Sequence, residues 1–298
     1  MQEPFFSVII PAYNRANIIL NTIESVTKQT FTNYEIVVVD DGSKDNTKDV
    51  IAQLNNPKVK YIYQTNAERS AARNNGARNA KGQYLCFLDS DDFYLENHLE
   101  TLYKHIQQNN FDEAMYFVDC KFLQKGITTI PQTSPMIDDV YKYFLVNSVV
   151  PVRVCVHKNI FSNCAFAEDI VIVEDTVMWC NIATKYKIHH IQMPTVLYHL
   201  HDDNSVLIEK NCFLPRLKGL QKMFAQPQMH GLISKQVKNE ILSDCYFGIA
   251  RHYEFVKKFW PMLYNTIISL FYLPTGNTVK KKLYMIYAYI FGKPSNNY

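Results

Sequence analysis

The residues best suited to chemistry in this sequence are three aspartates that close a short apolar segment. The segment YLCFLDSDDFY, residues 84–94, runs from mostly apolar residues into Asp89, Asp91 and Asp92. Residues i and i+2 of an extended segment project to the same side, so Asp89 and Asp91 can converge where the segment ends. Two converging carboxylates repel each other unless a cation lies beside them. Hard oxygen ligands favour Mg²⁺ or Mn²⁺, and Mg²⁺ binds through one or two carboxylates together with substrate phosphates.

The same aspartates also have a simpler interpretation. A surface turn often carries acids that cap the following helix, and a D-x-D pattern alone does not distinguish such a cap from a metal site. Asp92 in particular suits the capping role. The choice therefore depends on the elements that position these residues.

Apolar runs alternate with helical patterns in the first part of the chain. The runs SVIIPAYN, YEIVVVDDGS, VKYIYQ and YLCFLDSDD predict four short strands, and apolar residues spaced three to four apart between them predict three helices. This alternation predicts βαβ crossovers and a mostly parallel sheet, in which ligands bind beyond the carboxyl ends of the strands. Polar residues lie at those predicted ends, namely Tyr13, Asn14, Asp40, Asp41, Asp89 and Asp91.

Composition sets the broad class of the protein. A chain of 298 residues with 47% hydrophobic content can bury a full core. Its seven cysteines include no C-x-x-C pair, which predicts free thiols in a reducing compartment. The N-terminal residues show no secretory signal pattern, so we expect a cytoplasmic location. The net charge of +3 is concentrated near the C-terminus, and we expect no nucleic-acid partner.

Five motifs occur in an order that resembles a known family. They are SVIIPAYN, EIVVVDDGSKDNT, SAARNNGARNAKGQYLCFLDSDD, VEDTVMW and YHLHDDNS, and they extend from residue 7 to about residue 205. In this order the chain resembles the family 2 glycosyltransferases with a GT-A fold, in particular bacterial enzymes that build capsule, exopolysaccharide or lipopolysaccharide chains. The resemblance implies an α/β fold with a Rossmann-like, mostly parallel sheet flanked by helices, followed by a helical C-terminal extension.

The resemblance also implies an activity and a set of site residues. The activity is transfer of a sugar from a nucleotide diphosphate sugar, expected to be a UDP-sugar, to a hydroxyl of a glycan or lipid-linked saccharide. Tyr13 would stack on the base, either Asp40 or Asp41 would bind it, and Asp89 would contact the ribose or a metal-bound water. The implied nucleotide-binding set is Pro11, Ala12, Tyr13, Asn14, Asp40, Asp41, Arg73, Asp89 and Ser90.

The metal and the catalytic base are implied in the same way. Asp91, with Asp89 and His201, would hold Mn²⁺ or Mg²⁺ at the diphosphate. Asp175, with Glu174 before it, matches the family's catalytic base. Burial beside Glu174 could raise the pKa of Asp175 from about 4 toward neutrality, as an efficient base requires. A single displacement opposite the diphosphate would invert the anomeric centre and give a β-linked product from an α-linked donor.

These assignments have competing interpretations in the sequence. Tyr13 and Arg73 could be ordinary packing and surface residues, and Asp40, Asp41 and Gly42 could simply build a tight turn. Glu174 and Asp175 could be acids favoured in a first helical turn. The acids Glu168 and Asp169 form a second pair, but the residues at 174–175 precede an apolar helix face and align with the family motif. A zinc site at His199 and His201 is disfavoured, because no cysteine or third histidine stands at a recognisable ligand spacing.

The motifs suggest a division of the chain at residue 205. Residues 1–205 would form the catalytic domain, with a nucleotide-binding part at 1–110 and an acceptor part at 111–205, and residues 206–298 a helical extension. The uncharged stretch FWPMLYNTIISLFYLPTGNTV is interrupted by Pro261, Pro274, Gly276 and Asn277, which leaves its apolar centre too short to span a bilayer. Lysines and aromatic residues follow, so the extension either lies on the anionic cytoplasmic face of the inner membrane or packs on the catalytic domain or in a homodimer. Trp179 could stack on a sugar or lie in the core.

Two other classes of protein share some of these features. A sugar nucleotidyltransferase also uses a Mg²⁺-binding aspartate on an α/β sheet, but its glycine-rich N-terminal loop is absent here. A noncatalytic sugar- or nucleotide-binding module could keep the PAYN and DSDD motifs, yet it would not need Asp175.

Overall fold

A computed structural model describes residues 3–130, 136, 139–200, 211–275 and 277–291. The chain clusters into two compact units. One comprises Met1–Asp169 and Glu174–His201, and the other comprises Ile170–Val173 and Asp202–Tyr298. The assignment of catalytic and extension roles to residues 1–205 and 206–298 stays a prediction.

The first unit is built on one sheet flanked by helices. Its strands are β1 (Phe6–Ala12), β2 (Tyr34–Asp41), β3 (Val59–Gln64), β4 (Tyr84–Phe87), β5 (Phe93–Tyr94), β6 (Ala114–Gln124), β7 (Ile127–Thr129), β8 (Val154–His157) and β9 (Lys187–Leu200). Its helices are α1 (Ile19–Thr27), α2 (Thr47–Ala52), α3 (Glu68–Asn79), α4 (His98–Gln108), α5 (Val140–Val146), α6 (Lys158–Asn163) and α7 (Glu174–Ala183). The spatial order of the strands is β3-β2-β1-β4-β8-β6-β9-β5, and β7 pairs with β6.

The topology of the first four strands fixes where a ligand can bind. They pair in parallel, as the alternation of apolar runs and helical patterns predicts. Because β2 lies on one side of β1 and β4 on the other, the order reverses between β1 and β4. In α/β sheets the crevice beyond the carboxyl ends at such a reversal is the usual ligand site. Past β4 the sheet is mixed, since β8 runs antiparallel to both β4 and β6.

Close packing of α3 on this sheet sets the position of the residues that α3 carries. Val37 and Val39 of β2 pack with Ala72 of α3 on one face of the sheet. A Cβ at Gly76 would lie 2.5 Å from Cγ2 of Ile9, so glycine is what allows the helix to approach so closely. The N-terminal part of α3 is thereby held beside the end of β4.

Helices make up the second unit. They are α8 (Phe213–Phe224), a 3₁₀ turn (Pro227–Met229), α9 (Lys235–Phe255), α10 (Phe259–Tyr272) and α11 (Asn277–Phe291). The prediction that Pro261 interrupts the apolar stretch is wrong, since Pro261 lies in the first turn of α10. A first-turn residue has no helical partner for its N–H, so proline is tolerated there. Within the ranges given above, no helix is long and apolar enough to cross a membrane.

The structure also bears on the sequence-based predictions for Trp179 and for the cysteines. Trp179 is fully buried, and its indole N–H donates to the carbonyl of Val149 at 2.8 Å, which makes it a core residue. The seven cysteines are free thiols, and all of them except Cys164 are buried.

Candidate active site

The centre of the candidate site is a group of charged side chains that we call the ion cluster: Arg69, Arg73, Asp89 and Glu174. Arg73, on α3, is 1% exposed. Its Nη2 lies 2.6 Å from Oδ1 of Asp89, which follows β4, and its Nη1 lies 3.3 Å from Oε1 of Glu174, which begins α7. Nε of Arg69, one turn earlier on α3, lies 2.8 Å from the same Glu174 oxygen. The ion cluster thus brings the end of β4 next to the start of α7.

Burial and charge act in opposite directions within the ion cluster. Burial raises the pKa of Glu174, and the charge of Asp175 adds to that rise, while Arg69 and Arg73 act against it. Burial also works to lower the pKa of Arg73, but the charges of Asp89 and Glu174 outweigh it and raise that pKa above its ordinary value. Both effects follow from placing charges in a poorly solvated site.

Asp175 lies at the edge of the ion cluster. It is half-buried, and burial raises its pKa above the ordinary value for an aspartate. Its Oδ1 accepts hydrogen bonds from the backbone N–H of Thr176 at 2.5 Å and from the Thr176 hydroxyl at 3.2 Å. A partly exposed carboxylate with a raised pKa has the properties that a general base needs.

The competing acid pair is placed differently. Glu168 and Asp169 are exposed, and Oε1 of Glu168 accepts a hydrogen bond from Asn74 at 2.9 Å. Glu174, by contrast, is 5% exposed and is held by two arginines. This arrangement favours the residues at 174–175, although their catalytic role stays a prediction.

Asp92, the third aspartate after β4, links the segment after β4 to strand β9. Asp92 is 1% exposed, and its Oδ1 accepts a hydrogen bond from the backbone N–H of His199 in β9 at 2.8 Å. Burial, with the charges of Asp89 and Asp91, raises its pKa well above the ordinary value. The interpretation of Asp92 as a helix cap is wrong, because the cap position of α4 is Asn97.

The loops after β1 and β2 are joined by hydrogen bonds at the carboxyl ends of those strands. The backbone N–H of Asn14 donates to the Ser43 hydroxyl at 2.9 Å, and the N–H of Lys44 donates to Oδ1 of Asn14 at 2.8 Å. Asn14 adopts a φ of 53°, a left-handed conformation that asparagine tolerates. Tyr13 is left 41% exposed, which suits the predicted stacking on a base. Pro11 and Ala12, which end β1, lead into this loop.

The two acids that end β2 differ in their partners. Asp40 is 1% exposed; its Oδ1 accepts from the N–H of Ser43 at 2.8 Å and its Oδ2 from the hydroxyl of Tyr61 at 2.6 Å. Oδ1 of Asp41 accepts from Gln64 at 2.7 Å and from the N–H of Ala67 at 2.8 Å. Since both oxygens of Asp40 serve the local structure, Asp41 is the better candidate for binding a base.

The remaining predicted site residues are Ser90, Asp91 and His201. The carbonyl of Ser90 accepts a hydrogen bond from the Thr22 hydroxyl at 2.9 Å, which ties the turn to α1. Oδ2 of Asp91 lies 3.9 Å from Nη2 of Arg15, in the loop after β1. His201 lies outside the described residues.

Comparison with known proteins identifies the family. Residues 7–161 match the family model described as Glycosyl transferase family 2. The chain belongs to this family.

Two curated relatives illustrate the similarity. An uncharacterized glycosyltransferase of Rickettsia felis is 28% identical over 274 residues, covering 88% of this chain and 40% of that protein. The Escherichia coli protein named UDP-Glc:alpha-D-GlcNAc-diphosphoundecaprenol beta-1,3-glucosyltransferase WfgD is 37% identical over 111 residues, covering 37% of this chain and 44% of that protein. The matched segments therefore cover less than half the length of each of these relatives.

Solved structures show the same fold at low identity. S. aureus TarS 1–349 in complex with UDP-GlcNAc has a TM-score of 0.60 at 17% identity, covering 97% of this chain and 92% of that 1–349 chain. Mannosyltransferase PcManGT from Pyrobaculum calidifontis, in complex with GDP-Man and Mn²⁺, has a TM-score of 0.58 at 16% identity, covering 97% and 81% of the two chains. Together with the family match, these similarities confirm the GT-A fold.

The acids after β4 of this family 2 chain fit a divalent cation that a substrate helps to hold. Among the described residues no group of three or more His, Cys, Asp or Glu side chains could hold a metal. Asp89 and Asp91 supply hard oxygen donors, and Asp89 already faces Arg73. One or two carboxylates together with substrate phosphates are the set through which Mg²⁺ commonly binds.

Sequence reasoning missed several residues of the site. One of them is Tyr198 in β9. Burial raises the pKa of Tyr198, and the negative charges of Asp92, Asp89, Asp91 and Asp175 raise it further. The contacts of Arg73 with Asp89 and Glu174 place the acids after β4 and those of α7 in one region of the first unit. Arg69 was detectable, because it stands four residues before Arg73 on a predicted helix and so shares its face. Tyr198 opens the YHLHDDNS motif, which predicts no role for it, and nothing in the local sequence indicates Arg15.

Proposed function

We propose that the chain is an inverting, metal-dependent glycosyltransferase that moves a sugar from a UDP-sugar to a hydroxyl of a glycan or lipid-linked saccharide in surface polysaccharide synthesis. The observation that carries the proposal is the ion cluster, in which Arg73 contacts both Asp89 at the donor end and Glu174 beside the expected base. The ligand in the TarS complex and the donor and acceptor in the name of WfgD support a UDP-sugar and a lipid-linked acceptor.

The donor would bind across the ends of β1, β2 and β4. Tyr13 would stack on the base, and Asp41 would accept a hydrogen bond from it. Asp91 and Asp89, with His201, would hold Mn²⁺ or Mg²⁺, which neutralises charge on the leaving diphosphate when it is bound. The Mn²⁺ in the PcManGT complex supports this assignment.

Asp175 would deprotonate the acceptor hydroxyl. Thr176 donates both of its hydrogen bonds to Oδ1, so Oδ2 is the oxygen expected to take the proton. The acceptor oxygen forms its bond to the anomeric carbon as the bond to the diphosphate breaks on the opposite face, which inverts that centre. A base must be ionised to act, so we expect the rate to rise as the pH rises through the raised pKa of Asp175.

The direct test is Asp175→Asn, which removes the base while keeping the shape of the side chain. Loss of a general base lowers the rate by about 10²–10⁴-fold, so we expect a decrease in this range in UDP-sugar turnover with Mn²⁺. Calorimetry should show UDP binding within about twofold of wild type. Glu168→Gln is the matched control and should retain full turnover, since Glu168 is an exposed acid outside the ion cluster.

Three outcomes would contradict the proposal. Unchanged turnover in Asp175→Asn would remove Asp175 as the base, and a product with retained stereochemistry would exclude a single displacement. Binding of UDP-sugars without any turnover by the wild-type chain would indicate a noncatalytic module. Release of pyrophosphate from a nucleoside triphosphate and a sugar phosphate would indicate a nucleotidyltransferase.

A further inference from the structure

Helix α10 exposes four large apolar side chains to solvent. The exposed fractions are 75% for Trp260, 66% for Tyr264, 56% for Ile267 and 82% for Phe271. The spacing of these residues, i, i+4, i+7 and i+11, places them in one stripe along the helix. A helix of a water-soluble domain normally turns such a stripe toward the core.

The opposite face of α10 is buried, and beside Met262 it carries three polar residues. Thr266 and Ser269 are fully buried, and Asn265 is 9% exposed. The Asn265 amide donates to the carbonyl of Pro261 at 2.7 Å, and the Ser269 hydroxyl donates to the carbonyl of Ser243 in α9 at 2.7 Å. Small polar residues between helices, with large apolar residues outside, are the arrangement of helices whose outer face meets lipid.

Helix α11 repeats this pattern in the second unit. Its exposed apolar residues include Leu283 (53%), Tyr287 (40%) and Ile290 (58%). Lys282, by contrast, is fully buried, and its Nζ donates to the Ser243 hydroxyl at 2.6 Å. Both helices therefore bury polar groups against α9, beside an apolar cluster of Ala250, Met262 and Met285, and expose large apolar residues.

Charge around the two helices indicates what covers them. Lys257 and Lys258 precede α10, Lys280 and Lys281 lie near the start of α11, and all four are exposed. Glu254 is the only acidic residue in the sequence from 251 to 298, against seven Lys or Arg. A second copy of the chain would bring like charges together, whereas an anionic bilayer complements them.

We propose that the exposed apolar faces of α10 and α11 insert into the surface of an anionic lipid bilayer, with the four exposed lysines at the head groups. Interfacial helices have this combination of an apolar face and flanking basic residues. None of the helices within the described part of the chain could cross a bilayer, so the two helices would lie in the plane of the interface. This inference goes beyond the proposed sugar transfer and does not depend on it.

Flotation of the full chain with lipid vesicles tests the proposal. We expect the wild-type chain to float with vesicles of phosphatidylethanolamine and phosphatidylglycerol, but not with vesicles of phosphatidylcholine. The double variant Trp260→Ser and Phe271→Ser should bind the anionic vesicles at least about tenfold more weakly, since it removes two large apolar side chains from the stripe. Ile127→Ser, at a 67% exposed apolar residue of β7, is the matched control and should bind like wild type.

Replacing lysines by glutamine tests the electrostatic contribution to vesicle binding. One basic residue near an anionic surface contributes about fivefold to the partition coefficient, so Lys257→Gln with Lys258→Gln should weaken binding by about 25-fold at low salt. Added salt should weaken wild-type binding and narrow that difference. All these side chains are exposed, so circular dichroism spectra should match wild type.

Four results would overturn the proposal. The first is failure of the wild-type chain to float with anionic vesicles, and the second is equal flotation with phosphatidylcholine. The third is binding of anionic vesicles by the stripe variant as strongly as by wild type. The fourth is a wild-type dimer in sedimentation that the stripe variant abolishes, which would make the stripe a self-association surface. A chain that floats as expected but shows no sugar transfer would refute only the proposed function.

Discussion

Replacing Arg73 by methionine tests whether the ion cluster stabilises the first unit. The guanidinium carbon lies 5.3 Å from the centre of the Phe166 ring, so a methionine of similar reach keeps an apolar contact there. The substitution nevertheless leaves Asp89 and Glu174 without the cation that joins them. Any loss of stability should therefore come chiefly from charge rather than from packing.

The magnitude of the loss follows from the burial of each partner. Removing one member of a buried ion pair costs about 3–5 kcal/mol. The lower end applies here, because the Asp89 side chain is 27% exposed and Glu174 keeps Arg69 at 2.8 Å. We expect Arg73→Met to lower the free energy of unfolding by about 3 kcal/mol. For a unit of this size that corresponds to a fall in Tm of about 6–12 °C.

The effect should depend on pH with a definite sign. Burial already raises the pKa of Glu174, and loss of Arg73 removes a charge that opposes the rise. A carboxyl group whose pKa is higher in the folded state stabilises the fold below its unfolded pKa, and this stabilisation disappears as the pH rises through the folded value. The deficit of Arg73→Met relative to wild type should therefore be larger at about pH 8 than at about pH 5.

Calorimetry at these two pH values, with two control variants, decides the question. Arg69→Met removes an arginine whose side chain is 37% exposed, and we expect it to lose about 1 kcal/mol or less. Arg73→Lys keeps the positive charge but lacks the two guanidinium nitrogens that contact Asp89 and Glu174 separately. Its stability should therefore fall between wild type and Arg73→Met. The reasoning fails if Arg73→Met is no less stable than Arg69→Met, or if its deficit grows as the pH falls.

Two further substitutions test local features of the site by urea denaturation. Asp92→Ala should lower the free energy of unfolding by about 1–2 kcal/mol because the N–H of His199 loses its acceptor, whereas Asp92→Asn keeps that acceptor and should be at least as stable as wild type. Equal losses in the two variants would show that the hydrogen bond does not matter. Glu68→Gly should raise the free energy of unfolding by about 0.5–1 kcal/mol, since Glu68 has a φ of 71° that glycine adopts readily; a loss of stability would show that the Glu68 side chain makes a compensating contact.

The parallel half of the sheet could be predicted from the sequence because its signals are local. Each of the first four strands is an apolar run bounded by polar or turn residues, and each intervening helix shows its own periodicity. The polar ends of β1, β2 and β4 then lie at one edge of the sheet by topology alone, and Arg15 in the loop after β1 lies 3.9 Å from Asp91. No longer-range information is needed for this step.

Contacts between distant segments could not be predicted in the same way. Arg73 meets Glu174 across 101 positions, and Asp92 meets His199 across 107. Such contacts depend on how α7 and β9 lie against the first four strands, and local periodicity does not encode that placement. The burial of Trp179 depends on the same packing, so the sequence left its role open.

The backbone conformation at the starts of α3 and α7 is a further reason why the ion cluster could not be predicted from the sequence. Glu68 opens α3 with a φ of 71°, and Val173 precedes α7 with a φ of 68°. A left-handed conformation costs about 1–3 kcal/mol for such residues, and for a β-branched one it is a true outlier. Strain of this kind persists only where the surrounding structure fixes it, and here each strained residue is followed directly by a member of the ion cluster. Neither residue is a turn former, so the sequence gives no sign of these bends. Because glycine adopts the same φ without strain, Glu68→Gly should leave the contact between Arg69 and Glu174 in place.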